Sequence, residues 1–157
     1  MRLARRHGRK SSLAHEISLA LFTASVVWIV SKTIFPPWDI ANSKPINIRV
    51  FYALDRSWRE WLRSHSAWYF VTNVLGNVAL FVPFGFLLPL SMKIKQGFVI
   101  LYGFVFSLAI EIAQYPLGRW SDIDDLWLNT LGAVIGLLLY TALRFAAPKF
   151  SEQCKIS

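Results

Sequence analysis

Four apolar runs, each long enough to cross a bilayer, leave this chain few folds to choose from. They lie at about residues 13–35, 68–90, 97–114 and 122–147. About 20 predominantly apolar residues cross the hydrocarbon core as a helix. Inside that core the backbone finds no water, so each run must satisfy its own N–H and C=O groups as a helix. The expected fold class is therefore an all-α membrane protein with four transmembrane helices. Composition agrees, since mean hydropathy is positive at +0.42. The formal net charge of +8 could suit a polyanion. Its distribution at the flanks of the runs points instead to lipid head groups, and no nucleic-acid partner is expected.

Taken in order, residues 1–12 carry Arg2, Arg5, Arg6, Arg9 and Lys10, the basic flank expected of a cytoplasmic N-terminus. The first span leads outward from Leu13 to Phe35, with Lys32 placed to snorkel and Pro36-Pro37 to stop it. A cleaved signal peptide is the competing reading, but the run is long and no small-x-small site follows. In the outer aromatic and basic segment 36–66, Phe51, Leu54, Trp58, Trp61 and Leu62 recur at helical spacing. Arg49, Arg56, Arg59 and Arg63 mostly fall elsewhere, which predicts an interfacial helix between the first and second spans. Pro83 should kink the second span and Pro89 help end it. Lys93 and Lys95 place the following turn in the cytoplasm, and residues 115–121 can only be a tight outer connection. Arg144, Lys149 and Lys155 return the chain to a cytoplasmic tail, 148–157. The expectation is a multi-pass protein of the cytoplasmic membrane with both termini inside. Cys154, the single cysteine, reads as an incidental exposed thiol of that tail.

Polar residues interrupt the apolar runs at one level. Asp122, Asp125 and Asn129 are spaced by three and seven and share a narrow helix face, which Gly132 and Gly136 continue. Small residues four apart admit a neighbouring helix backbone, so that face should point toward protein. Asp124 points the other way and reads as an exposed first-turn acid, while Asp122 suits a helix cap. Glu111 and Gln114 share a face of the third span, Asn73 and Asn77 a face of the second, and Arg119 lies between the acids. With the topology above, all of these converge near the outer leaflet.

An ionisable residue inside a membrane is by default a functional-site hypothesis. One reading is a structural network with Arg119 paired to Asp122 or Asp125. Another is a cleft for a polar head group, with Arg119 engaging phosphate or carboxylate and Glu111 poised as acid or base. A hydrolase or transferase would use Glu111 or Asp125. A hard cation held by Glu111, Asp122 and Asp125 is a further alternative. No zinc spacing or serine-nucleophile motif occurs, and no cofactor is expected. A transporter would show internal repeats, which are absent.

The chain resembles the VanZ-like family of bacterial membrane proteins through NVALFVPFGFLLP at Asn77–Pro89, SLAIEIAQ at Ser107–Gln114 and GRWSDIDDLWLNTLGAVIG at Gly118–Gly136. The positions matching the family's characteristic residues are Asn77, Pro83, Gly85, Glu111, Gln114, Arg119, Asp122, Asp125 and Asn129. The resemblance makes residues 13–147 a VanZ-like membrane domain. It implies an envelope-linked role, with teicoplanin-type glycopeptide susceptibility as its narrower form. The expected function is binding of an envelope lipid or lipid-linked precursor, without chemistry, at Asn77, Glu111, Gln114, Arg119, Asp122, Asp125 and Asn129. The expected partners are membrane lipids, such a precursor or another membrane protein.

Overall fold

The computed structural model describes residues 12–34, 46–117 and 121–155. The basic N-terminal arginines, Pro36-Pro37 and Arg119 lie outside the described residues. Helix α1 (Leu13–Ile34) is followed by strand β1 (Ile46–Asn47) and helix α2 (Tyr52–Ser64). A π-helical stretch, Phe70–Leu75, runs directly into α3 (Gly76–Ser91), and α4 (Gln96–Gln114) returns. Strand β2 (Ser121–Asp122), helix α5 (Ile123–Ala146) and a short α6 (Pro148–Gln153) complete the described chain. Helices α1, the continuous Phe70–Ser91, α4 and α5 are each long and apolar enough to cross a membrane. The fold is the four-helix membrane architecture expected from hydropathy.

Helix α5 packs most extensively on α3, with α4 against α5 and α1 against α3. The α3–α5 seam is made by missing side chains. A Cβ on Gly136 would lie 2.7 Å from Phe86 N, and one on Gly132 would lie 3.0 Å from Phe81 Cβ. On the facing helix, a Cβ on Gly85 would lie 2.7 Å from Ala133 Cα. The backbones therefore approach as closely as the Gly132/Gly136 spacing predicts, and the face they share with Asp125 does point toward protein. Phe81, Phe84, Val99, Ile110 and Leu137 form much of the adjoining core. Leu13, Ile17, Leu21, Val27 and Trp28 on α1 stay exposed, as a lipid-facing surface requires.

Pro83 and Pro89 both lie inside α3, which ends at Ser91, two residues after Pro89. An irregular turn lies upstream of both. There the Gly76 N–H donates to Val71 O, five residues back. Within this stretch Asn73 Nδ2 donates to Tyr69 O at 3.1 Å, and Asn77 Nδ2 to Asn73 O at 2.9 Å. The two amides thus satisfy carbonyls of a locally widened helix, a feature that recurs where membrane helices carry function.

The C-terminal segment differs from a free tail. Cys154 is buried, not exposed, and belongs to the core. Its carbonyl accepts from His15 Nδ1 at 2.9 Å and from Ser18 Oγ at 3.0 Å, while Ser12 Oγ donates to Gln153 O. Because a carbonyl can only accept, Nδ1 of His15 carries the hydrogen. The last carbonyls of α6 are thus capped by α1, and burial raises the pKa of the Cys154 thiol, which suppresses its reactivity.

Candidate functional site

The polar residues meet where the ends of α1 and α4 approach the beginnings of α2, α3 and α5. Strand β1 pairs in parallel with β2, Ile46 opposite Ser121 and Asn47 opposite Asp122. This bridge ties the segment leading to α2 onto the α4–α5 connection. Asn47 Nδ2 then donates to both carboxylate oxygens of Asp122, each at 3.1 Å. Asp122 also accepts from Asp124 N at 3.0 Å and so caps α5, as its position predicts. Burial raises the pKa of Asp122, against the hydrogen bonds from Asp124 N and Asn47 that favour the ionised form.

Glu111 is buried on the inner face of α4, together with Ser107 and Gln114. Its Oε2 accepts from Ser121 Oγ at 2.8 Å and from Asp122 N at 3.0 Å. Asp125, half-buried, accepts from Asn77 Nδ2 across the α3–α5 seam. Asn129 lies deeper and donates to Ser107 Oγ at 2.9 Å. Gln114 Nε2 donates to Thr33 O at 2.9 Å and ties the end of α4 to α1. The carbonyl oxygens of Gln114 and Asn129 are buried with no hydrogen-bond partner. Asn77, Glu111, Asp122 and Asp125 therefore gather in one cluster at this end of the bundle, Asn129 lies beyond it along α5, and Gln114 faces α1. Among the described residues no group of three or more His, Cys, Asp or Glu side chains could hold a metal ion.

Asp124 overturns its expected exposure. It is 0% exposed. Its carboxylate accepts from Phe51 N and Ala53 N, both at 2.7 Å, and from Trp127 Nε1 at 2.8 Å. The side chain does leave the Asp122/Asp125 face, but it turns toward α2 and not toward solvent. A carboxylate supplied by α5 thus caps the N-terminus of α2, where free N–H groups and the positive end of the helix dipole favour an anion. Phe51 holds a left-handed backbone, φ 65°, that costs a non-glycine residue about 1–2 kcal/mol. The Asp124 acceptor and the edge-on Phe51–Trp127 ring contact, centroids 5.5 Å apart, offset that strain.

So anchored, α2 presents small residues, Ala53 and Ser57, to the bundle and leaves Leu54, Trp58, Trp61 and Leu62 exposed. Two of its three arginines pair along the helix, Arg59 with Asp55 at 2.6 Å and Arg56 with Glu60 at 3.4 Å. Arg56 also lies over Tyr69, 4.3 Å from the ring centroid. The expected helix forms with an exposed apolar face, and with an internal clamp that the periodicity did not reveal. Two apolar grooves flank the clamp. One of 380 Å³ is lined by Leu54, Trp58, Trp61 and Phe70, and one of 480 Å³ by Phe51, Phe104, Ile123, Leu126 and Trp127.

Asn47, Ser121, Asp124 and Trp127 were not expected at the site. The available signal was the third acid of Asp122-Ile123-Asp124-Asp125, one more than a self-capping helix and an inward face require.

The chain matches the VanZ/LLP1 family model over residues 18–144. It is 32% identical over 129 residues to Protein VanZ of Enterococcus faecium, covering 78% of this chain and 70% of that protein. No solved structure matches it. The matched region contains the second and third spans, most of the first and fourth, the bridge and every acid of the cluster, and on this evidence the chain belongs to the VanZ/LLP1 family.

Proposed function

We propose that the chain plays a VanZ-like, envelope-linked role by binding the head group of an envelope lipid or lipid-linked precursor, without chemistry. The supporting observation is that half-buried Asp122 and Asp125 stand at the start of the same helix whose Ile123, Leu126 and Trp127 line an apolar groove, an arrangement that suits an amphiphile. The site is rich in acceptors, the carboxylates of Glu111, Asp122 and Asp125. That surplus suits a head group rich in hydroxyl or ammonium donors. Arg119, two residues before Ser121 in sequence, is proposed to meet the anionic part of the same ligand.

Catalysis by Glu111 or Asp125 is the competing reading. Against it stands the occupation of Glu111 Oε2 by two donors, which suits a positioning group better than a proton acceptor. The test is native mass spectrometry of gently extracted protein beside Asp125→Asn, Glu111→Gln and Arg119→Ala. The native chain should carry an envelope lipid that the three variants lose while remaining folded. If all four carry the same lipids, the head-group reading fails. Lipid turnover by the native chain that Glu111→Gln abolishes would establish the enzyme reading instead.

A further inference from the structure

A third groove lies at the other end of the bundle, among α1, α3 and α4. Its volume is 550 Å³, and Phe22, Val26, Phe84, Met92, Ile94 and Phe106 are among its walls. It extends along α4 as far as Ala109. From Gln96 to Ala109 is about 20 Å of helix at 1.5 Å per residue, whereas one leaflet contributes about 15 Å of hydrocarbon. The groove therefore begins at the α3–α4 turn and reaches somewhat past mid-membrane, long enough to take one acyl chain. Two of its wall residues, Met92 and Ile94, alternate in sequence with Lys93 and Lys95, both exposed. Neither lysine has a carboxylate within 4.0 Å among the described residues.

The surroundings add positive charge. Glu152, an acid within electrostatic reach of Lys93, pairs with Lys155 at 2.8 Å. Its pKa is lowered by that hydrogen bond, with Arg144 and Lys93 contributing through space. We infer that the groove holds an acyl chain of an anionic glycerophospholipid whose phosphate meets Lys93 and Lys95. A second copy of the chain is a poorer occupant, because a two-fold contact would bring two identical lysine pairs together. This lipid is distinct from the ligand proposed for the cluster around Asp122 and Asp125, and the inference does not depend on that reading.

The test uses the full chain in phosphatidylcholine nanodiscs doped with a phosphatidylglycerol or a phosphatidylcholine probe, each carrying a photoreactive group in its tail. Labelled peptides are read by mass spectrometry. The anionic probe should label α1 around Phe22 and α4 around Phe106 in preference to the zwitterionic one. Each of Lys93→Gln and Lys95→Gln should reduce that preference about fivefold. Val105→Trp, at a half-exposed wall position, should block labelling by both probes without disturbing the core. Anionic lipid drawn merely to the α2 arginines would label α2 peptides and leave the groove unlabelled. Equal labelling by both probes, a preference unchanged in both lysine variants, or cross-linked chain dimers at the groove would each overturn the inference.

Discussion

Asp124 sits in a helix whose neighbouring acids serve other partners, and its own three donors come from Phe51, Ala53 and Trp127. Removing such an acceptor leaves buried N–H groups unpaired, at about 1–3 kcal/mol for each group. Asp124→Ala should therefore lower stability by about 2–4 kcal/mol, partial rehydration near the interface keeping it below the full sum. Amide hydrogen exchange should quicken first in the opening turn of α2, and Asp124→Asn, which keeps one acceptor oxygen, should lose less. Unchanged exchange in α2 with a lowered melting temperature would show that the cap is not what holds the helix. Asp122 makes a second prediction, about pH. Burial leaves it holding its proton more tightly in the folded chain than in the unfolded one. The folded state thus binds more protons, and its stability falls as pH rises from the ordinary aspartate value of about 3.9 through the raised one. Asparagine also caps helices well, so the difference between the native and Asp122→Asn melting curves across that range isolates the carboxyl. A difference that does not vary with pH would refute it.

At the scale of elements, the α3–α5 seam rests on absent side chains and the α2 junction on a borrowed cap. A methyl at Gly132 would press on the Val78 carbonyl and Phe81 Cβ. Gly132→Ala should cost about 1–3 kcal/mol through forced separation of the helices. Gly97, near the start of α4, has nothing within 4 Å of a built Cβ, so Gly97→Ala should be neutral or slightly stabilising. Equal melting temperatures for the two variants would deny the seam its role. The seam was legible in the sequence, because small residues four apart and a 100° turn are local quantities. So were the spans, since hydropathy sums residue by residue. The α2 cap was not, because the Asp124 partners on that helix are backbone amides 73 and 71 residues away, and backbone amides carry no sequence signature. Nor was the docking of α6, a helix of 6 residues held by His15 and Ser18 from within an apolar run. The widened turn at Phe70–Leu75 was hidden too, since apolar residues satisfy either helical period there.

Across the whole molecule, helix α5 separates two polar closures. At one end Asp124 holds α2; at the other, α1 caps the last carbonyls of α6. The 24 residues of α5 put them about 35 Å apart at 1.5 Å per residue. Between them lies the close-packed seam, so the two closures are coupled only if the bundle has a second discrete arrangement that both bias. Nothing in the packing requires one. Asp124→Ala and His15→Ala should therefore add in stability to within about 0.5 kcal/mol, as distant sites do. Asp124→Ala and Trp127→Phe share one hydrogen bond and should instead couple by about 0.5–3 kcal/mol. Both cycles can be read from reversible denaturation in mixed micelles. Coupling across the length of α5 as large as that within the Asp124–Trp127 pair would mean that a change at one end can be sensed at the other. Additivity would leave the polar cluster around Asp122 and Asp125 as a self-contained unit on a rigid membrane scaffold.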